Sequence, residues 1–125
     1  MWVATAAAAG RPHLVPLSLA WIEDHVVIAV TPGSVTGRDL AASGYARLGL
    51  GPTRDVVMIE ATVERIVDAD ADEALATAYA AQADWDPRDD GGFVFVVLRP
   101  DRVQAWRESN EIAGRELMRD GRWLA

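Results

Sequence analysis

Residues Asp55 to Val67 alternate with a period of two. Val57, Ile59, Ala61, Val63 and Val67 fall on one face, and Glu60, Thr62 and Glu64 on the other. That is a strand with one dry and one wet side. A strand this long needs neighbours for its backbone groups, so the rest of the chain must supply them.

The neighbours are legible as short apolar runs between turn signals. Trp2 to Ala7 and His13 to Ile22 read as a strand pair hinged at Gly10. Pro12 and Pro16 exclude a helix interior there and push the second strand toward an edge or a bulge. Glu23-Asp24 turns the chain into His25–Val30, which is β-branched and short. Ala46 to Leu50, Phe93 to Leu98 and Arg102 to Arg107 follow, with Pro100-Asp101 read as a turn between the last two. Two helices fit between strands. One spans about Val35 to Ser43, closed by Gly44. The other opens at Asp70, with Glu73 completing a capping box, and runs to Ala83 with Leu75 and Tyr79 on one face. The tail from Glu108 to Ala125 carries Ile112, Leu117, Met118 and Trp123 among polar residues.

The expected fold is mainly β: about six to seven mostly antiparallel strands with two or more helices, in one domain over residues 1–125. Closing such a sheet into a small barrel removes its edges. The runs 14–22 and 93–98 are apolar on both faces, so a one-layer barrel would need cover from outside. A second copy is the simplest cover, and a homodimer is expected.

Charge and composition narrow the function. With 12 basic against 19 acidic residues the net charge is −7, and lysine is absent. Such a chain is a poor ligand for nucleic acid or an anionic membrane surface. Without cysteine there is no thiol catalysis or zinc–thiolate site. The two histidines, His13 and His25, lack metal-ligand spacing. Asp68, Asp70 and Asp72 imitate the start of a calcium loop, but Glu73 stands where glycine is needed and Tyr79 where the bidentate Glu is needed. No apolar run reaches the length of a membrane span and no signal peptide is evident, so the expected location is the cytoplasm.

Thr31-Pro-Gly-Ser-Val-Thr-Gly-Arg-Asp-Leu40 is the segment that carries chemistry. It places three hydroxyls, two glycines and a guanidinium where a strand passes into a helix. Helix N-terminal amides and an arginine fork both suit a phosphate. The alternative is a capped short helix with Arg38 in a surface ion pair. Trp2, Trp21 and Trp106 lie on strands, as core or interface residues or as the wall of a planar ligand's slot.

Trp2-Val-Ala-Thr-Ala, Gly10-Arg-Pro-His-Leu-Val-Pro-Leu17 and Thr31…Ser34…Thr36-Gly-Arg38-Asp-Leu40 together resemble the pyridoxamine 5′-phosphate oxidase-like family, the FMN-binding split β-barrels. The similarity continues through Ala46–Leu50 and Val56–Val67. It implies a homodimer with flavin sites at the subunit interface. Leu14, Val15, Pro16, Leu17 and Ser18 would flank the flavin ring. Thr31, Ser34, Thr36 and Arg38 would hold its phosphate, and Trp106 of the other subunit would close the slot. Relatives that bind the deazaflavin F420 often carry Arg and Lys at the positions of Ser34 and Thr36. Their absence here favours FMN over F420.

Three functional readings follow. The first is a flavin-dependent oxidoreductase of unidentified substrate, with His13 as the candidate acid or base. The second is a non-catalytic flavin-binding module. The third is a barrel that binds haem through His13 or His25, or only a partner protein.

Overall fold

The computed structural model describes residues 1–124. Nine strands form one sheet: β1 (Trp2–Ala6), β2 (Pro12–Pro16), β3 (Ala20–Ile22), β4 (His25–Val30), β5 (Tyr45–Leu50), β6 (Val56–Asp68), β7 (Val94–Trp106), β8 (Glu116–Arg119) and β9 (Arg122–Trp123). Helices α1 (Val35–Ser43) and α2 (Glu73–Ala83) follow β4 and β6. All strand pairs are antiparallel, and the main path runs β2-β1-β5-β6-β7-β4-β3. The sheet curls but does not close, as a split barrel does.

Register explains the core. Val15, Val3, Leu48, Ile59 and Val103 are successive cross-strand partners, so one apolar row crosses five strands. Val26, Ile28 and Val30 on β4, with Val94, Val96 and Leu98 on β7, complete the interior. The other face of the same two strands carries Val27, Ala29, Phe95 and Val97. That face packs under α2, where Leu75, Ala76 and Tyr79 are buried. Tyr79 stacks on Phe95 at 5.1 Å between ring centroids. Each such large side chain contributes about 1.5–3 kcal/mol by leaving water.

This arrangement corrects one premise of the sequence reading. The run 93–98 is apolar on both faces because α2 covers its outer side, so it requires no second subunit. The run 13–22 is not one strand either. It breaks at residues 17–19 into β2 and β3, which lie at opposite ends of the sheet path. Both occupy edges, and for β2 that is the position its two prolines favour.

Pro100 does not end a strand. β7 continues through it for 13 residues. Opposite Glu60 and Ala61 stand Arg102 and Pro100, so Asp101 is the extra residue of a bulge. The bulge accommodates a residue without an amide hydrogen. It also separates two pairings of β7: residues 94–98 partner β4, and Val103 and Gln104 partner β8. The tail therefore adds a short 3-10 helix, Ser109–Gly114, and a two-strand extension. Helix α2 begins two residues later than expected, capped by Asp72 rather than Asp70. Among the described residues no helix is long and apolar enough to cross a membrane.

Candidate functional site

Helix α1 opens with a tight cap. The Ser34 hydroxyl donates to the Thr31 carbonyl at 2.7 Å and accepts from the Gly37 amide at 3.0 Å. Gly37 must lack a side chain, since a Cβ there would lie 2.4 Å from the Thr31 carbonyl oxygen. The loop 31–34 is thus folded back on the first helical turn. Gly44 closes the far end in the left-handed conformation, φ 69°.

Two groups at this helix start remain available. The amides of Val35 and Thr36 have no acceptor among the described residues, as expected for the first turn of a helix. Thr36 is buried, yet its hydroxyl makes no hydrogen bond among those residues. Arg38, one turn on, is exposed and has no ion-pair partner among them. Arg47, Arg54, Arg65, Arg88, Arg99, Arg102, Arg107 and Arg119 are ion-paired, whereas Arg11, Arg115 and Arg122 share with Arg38 the lack of an ion pair among the described residues.

The helix start borders a cleft of about 590 Å³. One wall is β2 and the residue after it: His13, Val15, Pro16 and Leu17. The opposite wall is the end of β4, Ala29 and Val30, with Phe93 beside it. Thr31, Ser34, Val35 and Thr36 form the polar end. The volume lies in the range of small-molecule sites, ~300–1,000 Å³. A planar apolar ring with an anionic tail matches this division of apolar walls and amide-lined end. By that test the residues present fit a flavin mononucleotide.

The structure brings together Val15, Pro16, Leu17, Thr31, Ser34 and Thr36 of the residues expected from sequence. Leu14 alternates to the other side of β2 and is 61% exposed. Ser18 is exposed and does not line the cleft. Arg38 lies beyond its lining, within the same helix. Trp106 stands at the far end of β7, where the Arg115 guanidinium lies 5.8 Å from its ring centre. Only a second copy could bring it to this cleft. Ala29, Val30, Val35 and Phe93 escaped the sequence reading. The β4–β7 pairing, with Val30 opposite Val94, is what brings Phe93 to the wall.

The two histidines differ. His13 is half-buried and is the one titratable side chain in the cleft lining. His25 has both ring nitrogens engaged, Nδ1 at 2.7 Å from the Glu23 carbonyl and Nε2 at 2.9 Å from Glu64. To serve as an axial ligand it would have to give up one of these two contacts. Asp72 caps α2 through the Leu75 amide and meets Arg65, the role of a helix start rather than of a calcium loop.

Comparison with known structures finds the same architecture. An F420 reductase superposes with a TM-score of 0.68 at 18% identity, over 82% of this chain and 86% of that one. A pyridoxamine 5′-phosphate oxidase-related, FMN-binding protein from Nostoc punctiforme gives 0.59 at 13% identity, over 83% and 71%. A haem-binding protein from Mycobacterium smegmatis gives 0.66 at 19%, over 96% of this chain but 52% of that one. At these identities the likeness concerns the fold. No curated protein sequence matches the chain. The family model for pyridoxamine 5′-phosphate oxidase matches residues 1–107, from β1 through the end of β7, so the span that builds both walls of the cleft is family sequence. The chain belongs to the pyridoxamine 5′-phosphate oxidase family.

Proposed function

We propose that the chain binds FMN in the β2–β4 cleft and works as a flavin-dependent oxidoreductase, as a homodimer. The observation that carries this reading is the cleft's polarity. Apolar side chains from two strands face each other, and the open amides of α1 stand at one end with Arg38 beyond them. A bound flavin supplies the hydride chemistry. The chain's residues orient it: Val15, Pro16 and Leu17 pack one face of the ring, and Val35, Thr36 and Arg38 hold the phosphate. His13 at the wall is the group that can exchange a proton with a ligand there.

The second copy fits the outer face of β1 and β2. Trp2 and Leu14 stand on that face and are 52% and 61% exposed. Docking there would cover apolar surface that the monomer leaves in water.

F420 is the competing cofactor. One arginine and no lysine in the loop argue for the shorter anionic tail of FMN. Titration of the apo-protein with FMN and, separately, F420 decides between them. Saturable binding of FMN with turnover of NAD(P)H supports the proposal. Binding of F420 alone replaces the cofactor, binding without turnover with any reductant leaves a flavin-binding module, and binding of neither overturns the reading. Light scattering should give about 27 kDa, twice the 13.5 kDa chain.

A further inference from the structure

The barrel holds a second cavity, of about 260 Å³, distinct from the cleft. The two separate along β4: Val26 lines this one, whereas Ala29 and Val30 line the cleft. A backbone bridge stands between them, with the Leu17 amide donating to the Met1 carbonyl at 2.8 Å and the Met1 amine returning to the Leu17 carbonyl at 3.1 Å. Val26, Ile59 and Val103 form the floor and belong to the buried core. Leu50 and Val57 form a side. Trp21 and Trp123 stand at the mouth, their rings 6.5 Å apart and tilted by 57°.

Every lining residue is aliphatic, methionine or tryptophan. Protein interiors are close-packed, and voids much larger than a water are few. An apolar cavity of about 150 Å³ stays dry and accepts benzene. This one is larger, and no side chain in its lining hydrogen-bonds water except the two indoles. Trp21 and Trp123 are 36% and 49% exposed, and their indole N–H groups have no acceptor among the described residues. They offer ring faces and edges for aromatic packing and a donor for one acceptor atom. No arginine lines the cavity, and the chain's net charge of −7 repels anions.

We propose that this cavity binds a neutral, compact aromatic molecule of about two fused rings bearing one hydrogen-bond acceptor. The interior holds the rings by dispersion, and Trp21 and Trp123 close over them. The site is independent of the flavin proposal, because it shares no lining residue with the cleft.

The test uses 1-tetralone, a neutral bicyclic ketone, followed by equilibrium dialysis and by tryptophan emission, with FMN absent and then present. Saturable uptake of one molecule per chain, unchanged by FMN, is expected. Val57→Phe fills the cavity and should weaken binding at least tenfold without lowering Tm. Leu50→Trp is the second filler, should the first fail to fold. Trp123→Leu should weaken binding several-fold. No saturable uptake, or full affinity in a folded filler variant, overturns the proposal. So does uptake that falls as the chain self-associates in light scattering, which would make the mouth a contact between copies.

Discussion

The Thr5 hydroxyl donates a 2.9 Å hydrogen bond to the Asp39 carboxylate, and both residues are buried. The bond joins β1 to α1 across 34 residues. β1 also holds β2 by a continuous register, so this one contact sets the helix start against the opposite wall of the cleft. Thr5→Val preserves shape and strands the carboxylate. It should cost about 1.5–3 kcal/mol in urea unfolding, the range for a hydrogen bond to a charged group. Adding Asp39→Ala should cost less than the two single changes summed. Simple additivity would show that the two residues act separately.

Gly37 is a second constraint on the same corner. A methyl group there would meet the Thr31 carbonyl at 2.4 Å and the Pro32 carbonyl at 3.0 Å. Backbone carbonyls cannot swing aside as a side-chain tip can, so Gly37→Ala should unfold the cap and displace loop 31–34. The expected result is a lower Tm and at least a tenfold loss of FMN affinity, about 1.4 kcal/mol. Gly33→Ala is the control. A methyl group at Gly33 would find nothing within 4 Å, so stability should change little. Equal damage from both changes would rule out the close approach as the cause.

Arg38 separates binding from folding. It makes no ion pair among the described residues, so Arg38→Ala should leave urea unfolding of the apo-protein unchanged. FMN binding should weaken by about 1.5–3 kcal/mol if the guanidinium meets the phosphate, as for a charge-assisted hydrogen bond. Unchanged affinity in a flavin titration removes it from the site.

Local chemistry made much of this legible in advance. Ser34 and Gly44 bracket α1 because each has a short-range role, a hydroxyl cap and a left-handed terminus. Alternation in β6 identified its dry face from Val57 to Val63, but past the register shift at Glu64 Val67 falls on the other side and packs in the cluster under α2. What escaped depends on contacts distant in sequence. The local capping-box rule favours Asp70, which has Glu73 three residues on, yet Asp72 is the cap, bonded to the Leu75 amide and met by Arg65 from β6. Pro100 reads as a turn until a long partner strand absorbs it in a bulge. The greasy run 93–98 looks like an interface until α2 is laid over it. Phe93 joins the cleft only through the β4–β7 pairing, a relation no local pattern carries.

The Asp72 cap also predicts a pH response. Its carboxyl is held below the usual range, chiefly by the Leu75 amide and also by Arg65, against an opposing effect of desolvation. A depressed carboxylate contributes stability above its unfolded pKa and loses it as pH falls through the folded value. Asp72→Asn keeps an acceptor for the Leu75 amide but removes the charge. Wild type should therefore have the higher Tm at about pH 7, and the gap should close on acidification toward about pH 2, below the ordinary carboxylate range. Added salt should narrow the gap at neutral pH, because Arg65 and Asp72 meet at an exposed surface. A gap that persists unchanged in acid would mean that charge at Asp72 is not what steadies α2.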